Sequence, residues 1–520
     1  MVMRPRIIVF RVDASLEIGT GHVMRCLTLA EALRERGCEC HFISREHPGN
    51  LSDLVSEREF TVHNLPATDI TQEIEYELDS PAHTAWLGTN WKTDAAQVRS
   101  VIRDMAVDWL VVDHYALDAN WERELRSVCR KILIIDDLAD RQHNCDLLLD
   151  QNLVKDWQSR YNSVVPENCG LMLGPEYGLL HPIYAELHDR VPPREGPVRR
   201  ILVYFGGADS DSLTGMVVSA FKSLRRDDIM LDVVISPASP HIDSIRRQVA
   251  ENQRICLHEH LPTLASLIVK ADLAVGAGGA TSWERCCLGL PTLVITLAEN
   301  QRPIAEELGR LGLVRYLGHK DAIGETVIAQ ELQRILESGI SPDWSTRCRK
   351  LVDGQGVERV ADVVLLNSQT PLKARLARRD DEKILLAWAN DPLVRKNAFN
   401  TEQINAETHR KWFYDRLRDL DHCRIFILET GNGLPVGQVR FDHSPSGWVV
   451  SYSLDPCARG RGLGKQLLQV AMLAFRESVK HATILARVKD FNIRSRKVLN
   501  RIGFTHEDQG EGELVYRRLL

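Results

Sequence analysis

Residues 6–37 confine the start of the chain to one kind of supersecondary unit. Arg6-Ile7-Ile8-Val9-Phe10-Arg11-Val12 is a near-continuous apolar run, the pattern of a strand covered on both faces of a parallel sheet. A turn holding Gly19 and Gly21 follows. Val23, Cys26, Leu27, Ala30 and Leu33 then recur at helical spacing until Gly37 stops the helix. Strand, glycine turn and helix in this order open a doubly wound α/β sheet, which collects ligands beyond the carboxyl ends of its strands.

One histidine, His22, stands where the glycine turn enters the helix. The glycines admit a close backbone approach, and the helix start offers unpaired N–H groups to a phosphate or carbonyl oxygen. A helix-start histidine can simply be satisfied by a neighbouring backbone oxygen. Beside an anion-binding turn, a side chain that titrates near neutrality is instead a candidate general base. Met24 occupies the third glycine position of G-x-G-x-x-G, which argues against a nicotinamide cofactor.

Strands continue to alternate with helices: 38–44, 109–113, 132–136, 147–150 and 171–173. Several end in polar residues, namely Asp113-His114, Asp136-Asp137 and Asp150-Gln151-Asn152. Asp137 and Asp150 read equally well as ligand-facing acids or as caps of the next helix. The stretch 190–197, with three prolines and a glycine among charges, reads as a linker.

A second α/β unit follows, with strands at 201–205, 231–235, 273–275 and 291–295. Its first strand runs into Gly206-Gly207-Ala208-Asp209-Ser210. Between its last two lies Gly276-Ala277-Gly278-Gly279-Ala280-Thr281-Ser282-Trp283-Glu284. Such turns cradle phosphate, and Glu284, one turn into the next helix, is placed to accept from a ribose diol. Asn300, after the following strand, should face the cleft between the two units and orient substrate.

Beyond Pro371 the pattern changes to helices at 385–389 and 408–417, then strands at 424–429, 437–442 and 448–454. Arg459-Gly460-Arg461-Gly462-Leu463-Gly464 leads into a long amphipathic helix, 465–476. Backbone N–H groups and guanidinium groups in such a turn suit a pyrophosphate. A strand at 483–488 follows, then Asn492.

At 520 residues the chain exceeds one core. With 65 basic against 71 acidic residues, a net charge of −6, it carries no electrostatic footprint for nucleic acid. The absence of a long apolar run argues against membrane spanning and secretion. Its 12 cysteines are scattered without any C-x-x-C, so neither zinc nor disulfides are expected, and buried thiols fit a cytoplasmic protein.

The motifs Gly-Thr-Gly-His-Val-Met-Arg-Cys at 19–26, Ile-Asp-Asp-Leu-Ala-Asp-Arg at 135–141, Leu-Gly-Pro-Glu-Tyr-Gly-Leu-Leu at 173–180, Phe-Gly-Gly-Ala-Asp at 205–209 and Glu-Asn-Gln at 299–301 carry a resemblance. The first 350 or so residues resemble the nucleotide-sugar hydrolases of pseudaminic acid biosynthesis, relatives of the two-domain GT-B glycosyltransferases. The stretch Gly278 to Glu284 is similar to the uridine-nucleotide site of the GT-B enzyme that builds the second lipid intermediate of peptidoglycan. Residues 372–520 resemble the GNAT acetyltransferases. Within them, Trp388 to Arg395 and His409-x-x-Trp412-Phe413 are similar to the amino-sugar acetyltransferase of the same pathway.

The resemblance implies a GT-B-like pair of Rossmann-type domains, 1–190 and 198–365, followed by an α+β GNAT domain, 372–520. It implies hydrolysis of UDP-2,4-diacetamido-2,4,6-trideoxy-β-L-altropyranose without metal, and acetyl-CoA-dependent acetylation of the 4-amino UDP-sugar. His22 is then the base and Asn300 the sugar-positioning group. Gly206, Gly207, Gly278, Gly279 and Ala280 line the diphosphate, and Glu284 holds the ribose. The matched motifs add Gly19, Gly21, Arg25, Tyr177 and Ser282 on the substrate side, and Leu454, Arg459, Gly460, Arg461, Gly462, Leu463, Gly464 and Asn492 for acetyl-CoA. Leu499 stands where many GNAT enzymes carry a tyrosine acid, which leaves that acid unassigned. A glycosyltransferase on the same fold, with a GNAT domain acting on a protein or other amine, is the competing reading.

Overall fold

The computed structural model describes residues 4–67, 81–206, 209, 211–237, 239–250, 252–259, 261–510 and 512–520. Two compact units divide the chain, residues 1–361 and 362–520.

The first unit holds two parallel sheets. In the first, β1 (Ile7–Val12), β2 (Glu39–Arg45), β3 (Thr61–Leu65), β4 (Val107–Asp113), β5 (Ile132–Ile135), β6 (Leu147–Asp150) and β7 (Gly170–Leu173) lie in the order β3-β2-β1-β4-β5-β6-β7. Every pairing is parallel. Helices cover both faces, so the central strands are buried almost end to end, which is why their sequences run apolar without alternation. The chain winds outward from β1 through β2 to β3, then returns to β4 on the other side. The crevice where winding reverses therefore lies between the ends of β1 and β4.

The second sheet repeats this plan with β8 (Arg200–Tyr204), β9 (Met230–Val234), β10 (Ile255–His258), β11 (Leu273–Ala277), β12 (Thr292–Thr296) and β13 (Arg315–His319), ordered β10-β9-β8-β11-β12-β13. Its reversal point lies between β8 and β11, the strands that feed the two glycine turns read from the sequence. Both sheets are therefore Rossmann-like, the doubly wound parallel plan expected of the first two α/β segments.

Three strands escaped the sequence reading of this unit. β3 and β10 are edge strands with polar positions, and β13 is a half-exposed edge carrying Gly318 and His319. The proline-rich stretch 190–197 is docked rather than free. Arg194 is buried, donating to the carbonyls of Ala271 (3.3 Å), Ile268 (2.6 Å) and Leu288, and Gly196 bridges to Ile340. A guanidinium satisfied by buried carbonyls outweighs the local preference of prolines for an extended linker.

The second unit is a mixed sheet: β14 (Leu372–Leu376), β15 (Cys423–Thr430), β16 (Pro435–Ser444), β17 (Gly447–Leu454), β18 (Thr483–Lys489), β19 (Thr505–Gly510) and β20 (Glu513–Leu519), ordered β14-β15-β16-β17-β18-β20-β19. β17 and β18 are parallel and pair only at Trp448–Ile484 and Val449–Leu485. Beyond that point they part, opening the sheet between Val450–Leu454 and Ala486–Lys489. Among the described residues no helix is long and apolar enough to cross a membrane.

Candidate functional site

The reversal crevice of the first sheet is filled from both strands. Helix Gly21–Glu35 leaves the turn after β1 and presents His22, Arg25 and Cys26 on one face, the i, i+3, i+4 set. Opposite them, β4 ends in Asp113, fully buried. His22 Nδ1 lies 2.6 Å from Asp113 Oδ1, while Arg25 donates to the same carboxylate through Nε (2.6 Å) and Nη2 (2.6 Å). Burial pushes the Asp113 pKa up, but the charges and hydrogen bonds of Arg25 and His22 override it and hold it well below the usual carboxylate range. An ionised acid on Nδ1 fixes the imidazole tautomer and leaves Nε2 as the nitrogen available to substrate.

Arg25 reaches further. Its Nη1 donates to Asp137 Oδ2 (2.8 Å), which also accepts from Tyr115 (2.6 Å), while Asn152 donates to Asp137 Oδ1 (2.9 Å). The guanidinium is thus engaged by two carboxylates, and Arg25 positions His22 rather than offering itself to a phosphate. Asp137 and Asp150 cap no helix. Asp150 accepts from Asn152 N (2.9 Å), Arg160 (3.0 Å) and Tyr161 (3.2 Å), and burial with the charge of Asp137 pushes its pKa up to about 7 against Arg160.

Asp137 also lines a cavity of about 420 Å³ with Arg160 and Lys155 from the first sheet's loops, Asn300 from the turn after β12, and Glu306 and Arg310 from helix Arg302–Arg310. Asn300 sits in the 3-10 turn Glu299–Gln301 after β12, facing the same cleft as the acid that holds Arg25. Tyr177 lies elsewhere, in the short turn Pro175–Tyr177 beside Arg359, whose guanidinium donates to Glu176 O (2.8 Å).

At the second reversal point, Gly206 takes φ +99 after β8, a conformation that favours glycine; Gly207 lies outside the described residues. Across from it, the turn Gly278–Ala280 enters helix Thr281–Cys287, which has no side-chain cap; Ser282 N and Trp283 N donate to Gly279 O (2.9 Å) and Ala280 O (3.1 Å), so an anion would be met by the N–H groups ahead of them in the turn. A Cβ on Gly278 would meet Thr296 Cγ2 at 3.3 Å, and one on Gly279 would meet only Gln301 Nε2 at 3.8 Å. Two features went unassigned in the sequence. Gly276 leaves room for the Arg285 guanidinium, to which a Cβ would approach within 2.4 Å. Arg285 itself donates to Ala277 O (2.6 Å) and Ser282 Oγ (3.0 Å), clamping the turn. Ser282 is buried and takes that hydrogen bond from within the turn.

Glu284 combines two properties of a ligand-holding acid. Its Oε2 is buried with no hydrogen-bond partner of good geometry, the Tyr184 hydroxyl lying near enough to favour the ionised form. Burial also pushes its pKa up to about 7, with Tyr184 and Arg285 opposing. An orphaned carboxylate oxygen fits the donor pair of a ribose diol.

In the second unit a cavity of about 1110 Å³ opens at the β17–β18 divergence. It is lined by Leu454, Arg459, Gly460, Gly464 and Asn492, five of the expected cofactor residues. Helix Gly464–Ser478 starts there with no side-chain cap and no acid in its first turn, open to a pyrophosphate. Arg459 is partly engaged, donating to Asp391 (2.7 Å) and Leu454 O (3.3 Å). Gly462 takes φ +80. Arg461 is buried, and Leu463 is fully buried in the core, so Leu463 can offer only its backbone. Asn492 Oδ1 caps helix Ile493–Arg501 by accepting from Ser495 N (3.2 Å). Leu499 is also fully buried. Tyr452 and Ser495, which line the cavity, share a hydrogen bond of 2.7 Å, and burial raises the Tyr452 pKa.

These features define a pair of Rossmann-like parallel sheets followed by a mixed-sheet unit: residues 372–505 match the family model of the acetyltransferase (GNAT) domain, and the C-terminal unit is a GNAT domain. Over most of its length the chain is similar to an uncharacterized protein, MJ1062, of Methanocaldococcus jannaschii, at 20% identity over 97% of this chain and 98% of the relative. Further relatives match part of the chain. The spore coat polysaccharide biosynthesis protein SpsG of Bacillus subtilis is 25% identical, over 68% of this chain and 96% of that protein. The UDP-2,4-diacetamido-2,4,6-trideoxy-beta-L-altropyranose hydrolase of Campylobacter jejuni is 22% identical, over 59% of this chain and 97% of that enzyme.

Proposed function

We propose that the first unit hydrolyses UDP-2,4-diacetamido-2,4,6-trideoxy-β-L-altropyranose and that the GNAT unit acetylates the 4-amino group of the corresponding UDP-sugar. The observation that carries the hydrolytic reading is the His22–Asp113 pair, 2.6 Å apart at the mouth of a glycine turn. His22 Nε2 takes a proton from water as the water oxygen bonds to the anomeric carbon. The bond from that carbon to the diphosphate oxygen breaks, and its electron pair leaves on UDP. N–H groups at the Gly278–Ala280 turn and the helix start stabilise the departing diphosphate, Glu284 holds the ribose, and Asn300 orients the sugar.

In the second unit the neutral amine bonds to the thioester carbonyl carbon of acetyl-CoA and the carbon–sulfur bond breaks; the departing thiolate takes the proton of Tyr452, which Ser495 holds in place, and the proton shed by the amine passes to solvent, from which Tyr452 is reprotonated. The walls of that cavity are basic, which suits the phosphates of acetyl-CoA and of a phosphorylated acceptor alike, with Arg440, Arg459 and Arg487 already paired to Asp442, Asp391 and Glu513. Arg395, Lys396, Arg440, Arg459, Arg487 and Lys489 line it, and among its described lining residues there is no Asp or Glu. A polyamine acceptor would call for acids there.

The competing glycosyltransferase would keep the same base and nucleotide site but pass the sugar to a hydroxyl. UDP release measured with the UDP-sugar and no acceptor separates the two: release supports the hydrolase, and an intact substrate contradicts it. Activity is expected to persist in excess EDTA, and its loss on chelation with recovery on adding a divalent ion would contradict this mechanism. For the GNAT unit, acetylation of the 4-amino UDP-sugar in preference to peptides or polyamines is the supporting result.

A further inference from the structure

The segment before helix Trp91–Ile102 brings an aromatic cluster against the His22 imidazole, and the hydrolytic chemistry leaves it without a task. Tyr115, two residues past the end of β4, meets the His22 ring edge-on at 4.7 Å between centroids. Trp86 stacks on Tyr115 at 5.8 Å, and His83 touches both, 4.5 Å from Trp86 and 5.4 Å from Tyr115. The rings are held from their polar ends. Tyr115 donates to Asp137 (2.6 Å), and Trp86 Nε1 donates to Glu17 (3.2 Å) in the turn that carries Gly19. Tyr115 is buried beneath its neighbours, and the Trp86 ring stays partly exposed near the candidate base.

His83 adds one polar atom to this wall. Its Nδ1 is buried with no hydrogen-bond partner. Burial lowers its pKa, with Arg141 and His22 acting in the same direction and Asp140 opposing, so the imidazole is neutral at neutral pH. An apolar wall with a single unpaired neutral nitrogen matches a group that has a methyl at one end and an amide at the other. A uracil ring could also stack on such a wall, but the nucleotide features, Glu284 and the Gly278–Ala280 turn, belong to the second sheet. The atoms next to His22 are those of the sugar.

We propose that Trp86 and His83, seated on the buried Tyr115 ring, form the subsite for an acetamido group of the sugar, with its methyl against the Trp86 ring and its amide on His83 Nδ1. This rests on the hydrolytic reading and names the residues that set its selectivity. Removing part of an apolar pocket costs roughly 10- to 200-fold in discrimination.

Two measurements on the full chain test it. In the first, kcat and KM for UDP-2,4-diacetamido-2,4,6-trideoxy-β-L-altropyranose are compared among wild type, Trp86→Phe and Trp86→Ala. Trp86→Ala should raise KM by about tenfold or more with little change in kcat, Trp86→Phe should restore most of it, and UDP affinity should not move. In the second, saturation-transfer NMR on His22→Ala and His22→Ala/Trp86→Ala reads the acetamido methyl signals without turnover. Strong methyl saturation that disappears with Trp86 supports the subsite. An unchanged KM together with unchanged methyl saturation overturns it, as does a parallel loss of UDP affinity. If wild type releases no UDP, the hydrolytic reading fails, and the methyl saturation still decides the subsite.

Discussion

Two carboxylates carry most of the account at the scale of single residues. Asp113 is buried, ionised and bonded to both His22 and Arg25, so its task is to fix a tautomer and orient a ring. Asp113→Asn is expected to lower kcat by about 10²- to 10⁴-fold, the range of general-base catalysis, while UDP affinity is retained. Steady-state kinetics with calorimetric UDP titration checks this; a loss confined to UDP affinity would contradict it. Glu284 gives a pH signature. With its pKa pushed up to about 7, it holds a proton below that pH and is ionised above it. Two diol hydroxyls donate best to the ionised form, so UDP should bind more tightly as pH rises through 7, with proton release on binding. Glu284→Gln should flatten that dependence, leaving only the titration of UDP itself. Calorimetry in buffers of different ionisation enthalpy measures both.

At the scale of elements, the site is made by strand ends and the turns that follow them. Gly21 opens helix Gly21–Glu35, and a Cβ there would meet nothing within 4 Å. Gly21→Ala should therefore leave the melting temperature unchanged while lowering kcat/KM, because the added methyl stands in the ligand's path. Gly276→Ala should behave in the opposite way. Its Cβ would lie 2.5 Å from Tyr204 O and 2.4 Å from Arg285 Nη1, inside two central strands, and overpacking of that kind costs about 1–3 kcal/mol. Thermal denaturation distinguishes the pair. The contrast also marks what a sequence shows. Apolar runs, glycine turns and the helix stop at Gly37, which takes φ +81, are local signals, and they are what singled out His22, Glu284 and Asn300 as candidates. Asp113 was visible only as a polar strand end. Its pairing with His22 spans 91 positions and depends on β1 and β4 being neighbours. Arg285 and the ring cluster of His83, Trp86 and Tyr115 have no local signature, since their meaning comes from what the fold sets against them. Edge strands such as β3 and β10 lack the buried run that marks a central strand.

At the scale of the whole molecule, two compact units, each with its own core, are proposed to carry two chemistries that share a class of substrate. The two sites have no residue in common, so His22→Ala should leave acetyl transfer to the 4-amino UDP-sugar unchanged, and Tyr452→Phe should slow that transfer while leaving UDP release intact. Each is checked by assaying both reactions on the same preparation. The central claim is that His22 activates water at the anomeric carbon of a UDP-diacetamido sugar. It is tested most directly by proton NMR of the full chain with UDP-2,4-diacetamido-2,4,6-trideoxy-β-L-altropyranose and no acceptor, comparing wild type with His22→Ala. Free diacetamido sugar and UDP from wild type alone is the result expected. An intact substrate with wild type, or equal product from both proteins, would contradict it.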